Sequence, residues 1–479
     1  MKAGGNMWPS LFKVLGGSLL TFALVWALVL GWWQSNDHQP GKLEIGLYLA
    51  ALPLALVGGY LLLRGFIDHL KTPVAIQNAE VPGAHDDDPL AAASDRTAAA
   101  ERAFTFGLVD AFVLTAGGVS VDDTLAAVDS GKRPEPVTRL LDDSGFPVFA
   151  AEVAELDVAA MIEHFSDAAE PLRQLSSSEQ AMRGFSLLDP VIEASRDRLQ
   201  NILELAGEPV RLHVVWIVPP GWRAFDPSSL KSWLQMRLSL VPEQNSLELS
   251  LVSAADEIDA LRALDEITLH GNRAPSHRDV ALLLGAVSSV DELTVEEWAN
   301  ARRLFSAQHQ ERQIPGEGAV ALLLACPPLI AELELDDSIA ISRLSVASRD
   351  KPVDAGGRVT GKLIDQLITG LLDVTGIAPS SIKSVMLTTD HRANYLAEAL
   401  EGLGQSFEHL DPIKDCPAIG ATVGELSPIS GFVALACARA RVLATGESAL
   451  CISNQHPRDR GVLVAMPMSP QPVIETSSN

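Results

Sequence analysis

The stretch Gln313-Ile314-Pro315-Gly316-Glu317-Gly318-Ala319-Val320 leads straight into the apolar run Ala321-Leu322-Leu323-Leu324-Ala325-Cys326. Its two glycines permit positive φ and close approach of another backbone, and a strand begins immediately after them. Outward from this point, short apolar runs alternate with helical patterns, the mark of an α/β protein. Strands are expected at Leu108–Leu114, Arg211–Val218, Val280–Leu284, Ala319–Cys326, Ile339–Ser345, Ser384–Thr388, Ala449–Ile452 and Gly461–Met466. Helices are expected at Ser253–Ile267, Val359–Gly376, Asn394–Leu403 and Gly431–Thr445.

Before this body the chain changes character. Val14–Trp33 holds 20 residues without a charge and Ile45–Leu63 holds 19 more, each long enough to cross a bilayer as a helix. Trp32, Trp33, Tyr60 and Phe66 fall near the span ends, where amphipathic rings favour the headgroup layer. A cleaved signal peptide is the rival reading of the first span; its apolar stretch exceeds the usual length, and a second span follows at once. Lys2 and Lys13 precede the hairpin and Arg64 and Lys71 follow it, against Lys42 alone in the connection, which places both ends in the cytoplasm. The expected organisation is a transmembrane hairpin over 1–70, a flexible linker over 71–102, and two halves of one body over 103–270 and 271–479. The linker's His85-Asp86-Asp87-Asp88 reads as solvated acidic chain.

The chain has 479 residues, 47% of them hydrophobic, which excludes disorder and a small disulfide framework. Its 36 Lys and Arg against 61 Asp and Glu give a formal charge of -25, which would repel a phosphate backbone, so no nucleic-acid partner is expected. Cys326, Cys416, Cys437 and Cys451 show no metal-ligand spacing and read as reduced core thiols, with no metal and no cofactor implied.

Several segments carry a resemblance. Asp110-Ala111-Phe112-Val113, then Thr115-Ala116-Gly117-Gly118-Val119-Ser120 and Val128-Asp129-Ser130-Gly131-Lys132, resemble the opening of a β-ketoacyl synthase of the thiolase superfamily. Leu283-Leu284-Gly285-Ala286-Val287-Ser288-Ser289, the Pro315-Gly316-Glu317-Gly318-Ala319 segment, and Ile419-Gly420-Ala421-Thr422-Val423-Gly424-Glu425-Leu426-Ser427 are similar to later motifs of that family in the same order. The resemblance implies a thiolase-like body layered α/β/α/β/α, commonly dimeric.

It also implies a Cys nucleophile and two His side chains, which hold the acyl chain and stabilise developing negative charge. The matching positions here are Ala254, Leu387 and Ala421, so the resemblance implies a pseudoenzyme. A rescue reading makes Ser253 the nucleophile, His391 the base and Asp390 its orienting acid, but no GxSxG elbow supports it. Ser253 as a helix cap and Asp390-His391 as a polar turn are the plainer roles. Arg302-Arg303 and Arg458-Asp459-Arg460 could meet phosphates of coenzyme A or an acidic carrier protein, against the simpler reading of surface charge.

Three functions follow as expectations. The first is a membrane-tethered scaffold or adaptor with an unknown protein partner, on the cytoplasmic face of a bacterial inner membrane; by family analogy it would be accessory to type VI secretion. The second is a divergent acyltransferase, and the third a sensor that binds acyl-CoA or acyl-carrier protein without reacting.

Overall fold

The computed structural model describes residues 97–468 apart from 169, 171–172, 174–175, 177, 239–245 and 274–277, together with a few separate positions between 25 and 52. The chain divides into two compact units, 1–89 and 90–479. In the first, Val25, Trp26, Ala27, Val29, Trp32, Tyr48 and Leu52 are helical, and the remaining residues of both expected spans lie outside the described residues. Among the described residues no helix is long and apolar enough to cross a membrane.

The second unit is built on one mixed sheet. Its strands are β1 (Thr105–Thr115), β4 (Arg211–Val218), β5 (Ser246–Ser253), β6 (Asp279–Ser288), β7 (Glu317–Ala325), β8 (Ile339–Ser342), β9 (Ser345–Ser348), β10 (Ile382–Leu387), β11 (Ser448–Ser453) and β12 (Asp459–Pro467). They run in the order β10-β11-β12-β8-β1-β7-β6-β4-β5, with β9 paired to β12. A separate hairpin is made by β2 (Glu135–Leu141) and β3 (Pro147–Ala150). The helices are α1 (Val121–Asp129), α2 (Val158–Ser166), α3 (Glu179–Ala206), α4 (Pro227–Leu238), α5 (Glu257–Arg273), α6 (Glu292–Asn300), α7 (Pro327–Glu332), α8 (Lys362–Thr375), α9 (Ala393–Leu403), α10 (Gly420–Val423) and α11 (Ser430–Thr445).

The layering follows from which faces are apolar. Every residue of β6 and β7 is buried, so both faces of the sheet must be covered. Outer helix α3 lies on β7, β6 and β1, while α11 touches both β1 and β7 on one side and β10, β11 and β12 on the other. Beyond the second block of strands, α8 packs on β12 and β9, and α9 on α8. The result is the α/β/α/β/α arrangement. Each fully buried leucine of Leu322-Leu323-Leu324 contributes about 1.5–3 kcal/mol by leaving water.

The opening stretch has a specific task. Glu317, the first residue of β7, is fully buried, and its carboxylate accepts from Arg183 Nε at 2.8 Å and Nη2 at 2.6 Å, Ser288 Oγ at 2.8 Å and Val153 N at 2.9 Å. A Cβ on Gly316 would sit 2.4 Å from the carbonyl oxygen of Val423, so only glycine lets these two backbones meet.

The eight expected strands lie within or across β1, β4, β6, β7, β8–β9, β10, β11 and β12. Strand β5 and helix α3 went unforeseen. β5 is the outer strand of the sheet, partly exposed along its length, and it runs directly into the α5 segment, so the expected helix over Ser253–Ile267 begins instead at Glu257. Helix α3 spans 28 residues, with Pro190 inside it; Ser178 caps its start by accepting from Ala181 N.

Candidate functional site

Three chain segments meet at the carboxy-terminal ends of β5, β10 and β11, where ligands of α/β sheets commonly sit. Ala254 follows the last residue of β5, is fully buried, and donates its N–H to the Val218 carbonyl at 3.2 Å. Two residues on, Asp256 Oδ1 accepts from Ile258 N at 2.9 Å and Asp259 N at 3.0 Å, which starts helix α5. Leu387 ends β10, and its backbone exchanges hydrogen bonds with Pro417 and Ile419, setting it beside the Ala418–Ala421 segment. Ala421 is 3% exposed. The structure therefore brings the segments of Ala254, Leu387 and Ala421 together.

Two contacts bind them. The buried carboxylate of Glu257 accepts from Ser430 Oγ at 2.8 Å and from Gln455 N at 2.7 Å. At Gly420, an added Cβ would lie 2.4 Å from Gln455 Nε2 and 2.6 Å from the Thr388 carbonyl oxygen. Thr388 Oγ1 in turn accepts from Asn454 N at 3.1 Å. Gln455 and Arg392 were not singled out from the sequence, since neither residue type announces a site by itself.

The polar groups of the region are strongly coupled. Asp390 is buried and both its oxygens accept from Arg392 Nε, at 3.0 and 2.9 Å; Arg392 also lies over the Tyr395 ring, 4.0 Å from its centroid. Burial works against the Arg392 charge, but Asp390, Tyr395 and Glu425 together offset it and its pKa is raised. Glu425 accepts from Gln313 Nε2 at 2.8 Å and Ser427 N at 2.9 Å; burial, reinforced by the nearby Asp390 carboxylate, pushes it up to about 7. Around them Thr389 Oγ1, Arg392 Nη2, Ser453 Oγ, Asn454 Oδ1 and both polar atoms of the Gln455 side chain are buried without a protein hydrogen-bond partner among the described residues. Buried polar groups in folded proteins are nearly always satisfied by protein or by bound polar molecules.

The rescue residues do not form a relay. Asp390 is engaged with Arg392, whereas His391 Nε2 lies 3.0 Å from the Gln310 carbonyl and its ring packs edge-on to Phe305. No hydrogen bond joins Asp390 to His391 among the described residues. Ser253 ends β5 opposite Val218. Of Arg302-Arg303, Arg303 stacks on Trp298 and donates to Gln313, which in turn donates to Glu425, while Arg302 is exposed. Arg460 is fully buried on Glu398, so it is no surface cation.

All four cysteines are buried. Burial raises each thiol, Cys416 and Cys437 to about 12, which disfavours the thiolate form. Asp256, His456 and Asp459 gather side-chain atoms within 4.8 Å of one another, a spacing a metal ion could bridge. However, His456 Nδ1 accepts from Asp459 N at 2.9 Å and Arg458 N at 3.3 Å, which leaves the proton on Nε2 and neither nitrogen ready to ligate.

No protein-family model matches the chain, and no curated protein matches it. Solved structures do. A ketosynthase domain of oxazolomycin biosynthesis from Streptomyces albus superposes with a TM-score of 0.52 at 13% identity, covering 77% of this chain and 75% of that one. The ishigamide ketosynthase/chain length factor gives 0.52 at 15%, covering 76% of this chain and 100% of its own. A type II polyketide ketosynthase in complex with its acyl-carrier protein gives 0.52 at 13%, covering 77% and 100%. The fold is that of the ketosynthases. At these identities the likeness establishes the thiolase-like architecture and nothing of the chemistry.

Proposed function

We propose that this chain is a non-catalytic, thiolase-like scaffold or adaptor, tethered by its apolar hairpin to the cytoplasmic face of a bacterial inner membrane and accessory to a type VI secretion system. The observation that carries the non-catalytic reading is the convergence of Ala254 and Ala421 with the Leu387 segment, so that the three positions the resemblance assigns to Cys and His hold alanine, leucine and alanine. Glu425, whose carboxyl pKa is raised by burial, is held by Gln313 and Ser427. A partner protein, met as a homodimer, completes the reading; β5 is the outer strand available for symmetric pairing.

The test is intact-mass measurement of the purified protein after incubation with acyl-CoA and acyl-carrier protein. No covalent adduct and no transfer is the expected result; turnover that disappears on unfolding overturns it. A reporter fused after Asn479 should be active in the cytoplasm, and activity only in the periplasm overturns the topology.

The second reading, an acyl-thioester binding protein, is favoured by the buried polar atoms around Gln455 that have no hydrogen-bond partner among the described residues. Native mass spectrometry of the protein with acyl-CoA separates the two: a bound thioester without reaction supports the sensor.

A further inference from the structure

Strand β1 is paired unequally on its two sides. On one it matches β7 from Gly107 to Thr115; on the other it matches β8 only from Thr105 to Leu108. Along an antiparallel strand, successive residues turn their N–H and C=O alternately toward and away from the partner. Three contacts fix which residues turn away from β7. Val109 O accepts from Arg439 Nη2 at 2.7 Å, Ala111 N donates to Asp110 Oδ1 at 2.9 Å, and Thr115 exchanges both backbone bonds with Gly118 at 3.0 Å. Val113 lies between them in the same phase. Its N–H and C=O, with the C=O of Ala111, have no hydrogen-bond partner among the described residues.

This open edge is the floor of a groove of about 1170 Å³. Met161, Val191 and Ala194 line one wall and Ala440 and Leu443 the other, and Leu443 is 42% exposed. Asp110, Asp189, Arg237 and Arg439 also line it, and a strand edge on the floor of such a groove is the form taken by sites that accept an added extended segment.

The chain itself points to the occupant. β12 runs antiparallel to β8 and β8 antiparallel to β1, so β12 and β1 run the same way. Pro467 of β12 lies opposite Ile339, which lies opposite Leu108. β8 starts at Ile339, so among the described residues no strand continues the lane between β12 and β1 beyond that level, and Arg439 bridges its near end by donating to Val109 O and Asp337 O. The chain leaves β12 there, heading along β1. Residues 469–479 lie outside the described residues and read Ser469-Pro470-Gln471-Pro472-Val473-Ile474-Glu475-Thr476-Ser477-Ser478-Asn479. Eleven extended residues reach about 36 Å, and stepping across one lane of about 4.8 Å brings Val473 and Ile474 level with Val113. The prolines, which cannot donate, come before that level, and Val473, Ile474 and Thr476 are β-branched.

We propose that the edge of β1 at Ala111–Val113 is a strand-docking site, and that Val473–Thr476 of this chain occupies it as an added parallel strand between β1 and the line of β12. This goes beyond the proposed function and does not depend on it.

The test is amide hydrogen exchange on the full chain and on a chain ended after Met468. In the full chain the Val113 amide exchanges slowly; in the shortened chain it exchanges about tenfold faster, as expected when one hydrogen bond is lost. The amides of Leu322 and Leu323 in β7 report that both proteins are folded. A synthetic peptide of residues 469–479 restores the protection, and Ile474→Pro in the full chain removes it while Ser478→Pro does not. Equal protection of Val113 in both chains, or protection that follows a co-purified protein rather than the tail, overturns the proposal.

Discussion

Two buried carboxylates, Glu317 and Glu425, lie on adjoining segments and meet opposite fates. Glu317 is ringed by donors: a bidentate Arg183, Ser288 and the Val153 backbone. Glu425 has an amide and one backbone N–H, shares its surroundings with Asp390 and Glu257, and is pushed up to about 7 by burial. The first is a closed network that locks α3 to β7. The second stands among side chains whose hydrogen bonds are unfinished. What separates a structural ion pair from a ligand-ready region is thus the completeness of its hydrogen bonding, with burial common to both.

Breaking the closed network should have the largest effect. Arg183→Met leaves Glu317 buried and uncompensated, and should cost about 3–5 kcal/mol in urea unfolding. A cost no greater than that of a surface substitution would remove the contrast.

Next comes the pH dependence of Glu425. Its pKa is raised in the folded protein above the ordinary 4.5, so the folded state binds the proton more tightly than the unfolded one. Its contribution is fully present below about 4.5 and is lost as pH rises to about 7, a change of about 3 kcal/mol at most. Glu425→Gln should flatten this part of the profile, measured by unfolding across that range. The same slope in the variant would assign it to other groups.

Gly420→Ala should follow, at about 2 kcal/mol, because the new Cβ meets the carbonyls of Thr388 and Thr389 as well as the Gln455 amide. Thermal unfolding reads it, and a neutral result would mean that the polar region is loose enough to yield. The smallest effect belongs to Asp256→Ala, about 1 kcal/mol for a lost helix cap. A much larger loss would give Asp256 a part in the site rather than in starting α5.

The legible parts of the sequence were those where burial leaves one mark. β6 and β7 are buried at every residue and show as unbroken apolar runs, and α11 shows as a helix of small residues because it is squeezed between two blocks of strands. β5 escaped because an outer strand keeps polar residues at alternate positions, and Ser-Leu-Glu-Leu-Ser-Leu resembles the start of the helix that follows it. The segments of Ala254, Leu387 and Ala421 could be placed from motif order alone. The roles of Arg392 and Gln455 could not: Gln455 depends on Glu257, far back along the chain, and the turn that sets Arg392 on Asp390 and over Tyr395 leaves no mark in residue type.

β8 has only four residues, yet in the sheet it joins the block β1-β7-β6-β4-β5 to the block β12-β11-β10. Its rungs to β1 and to β12 are therefore the mechanical seam of the molecule. Pulled apart by its two halves, the protein would first tear there, leaving each block intact until a higher force, as two steps in a single force-extension trace.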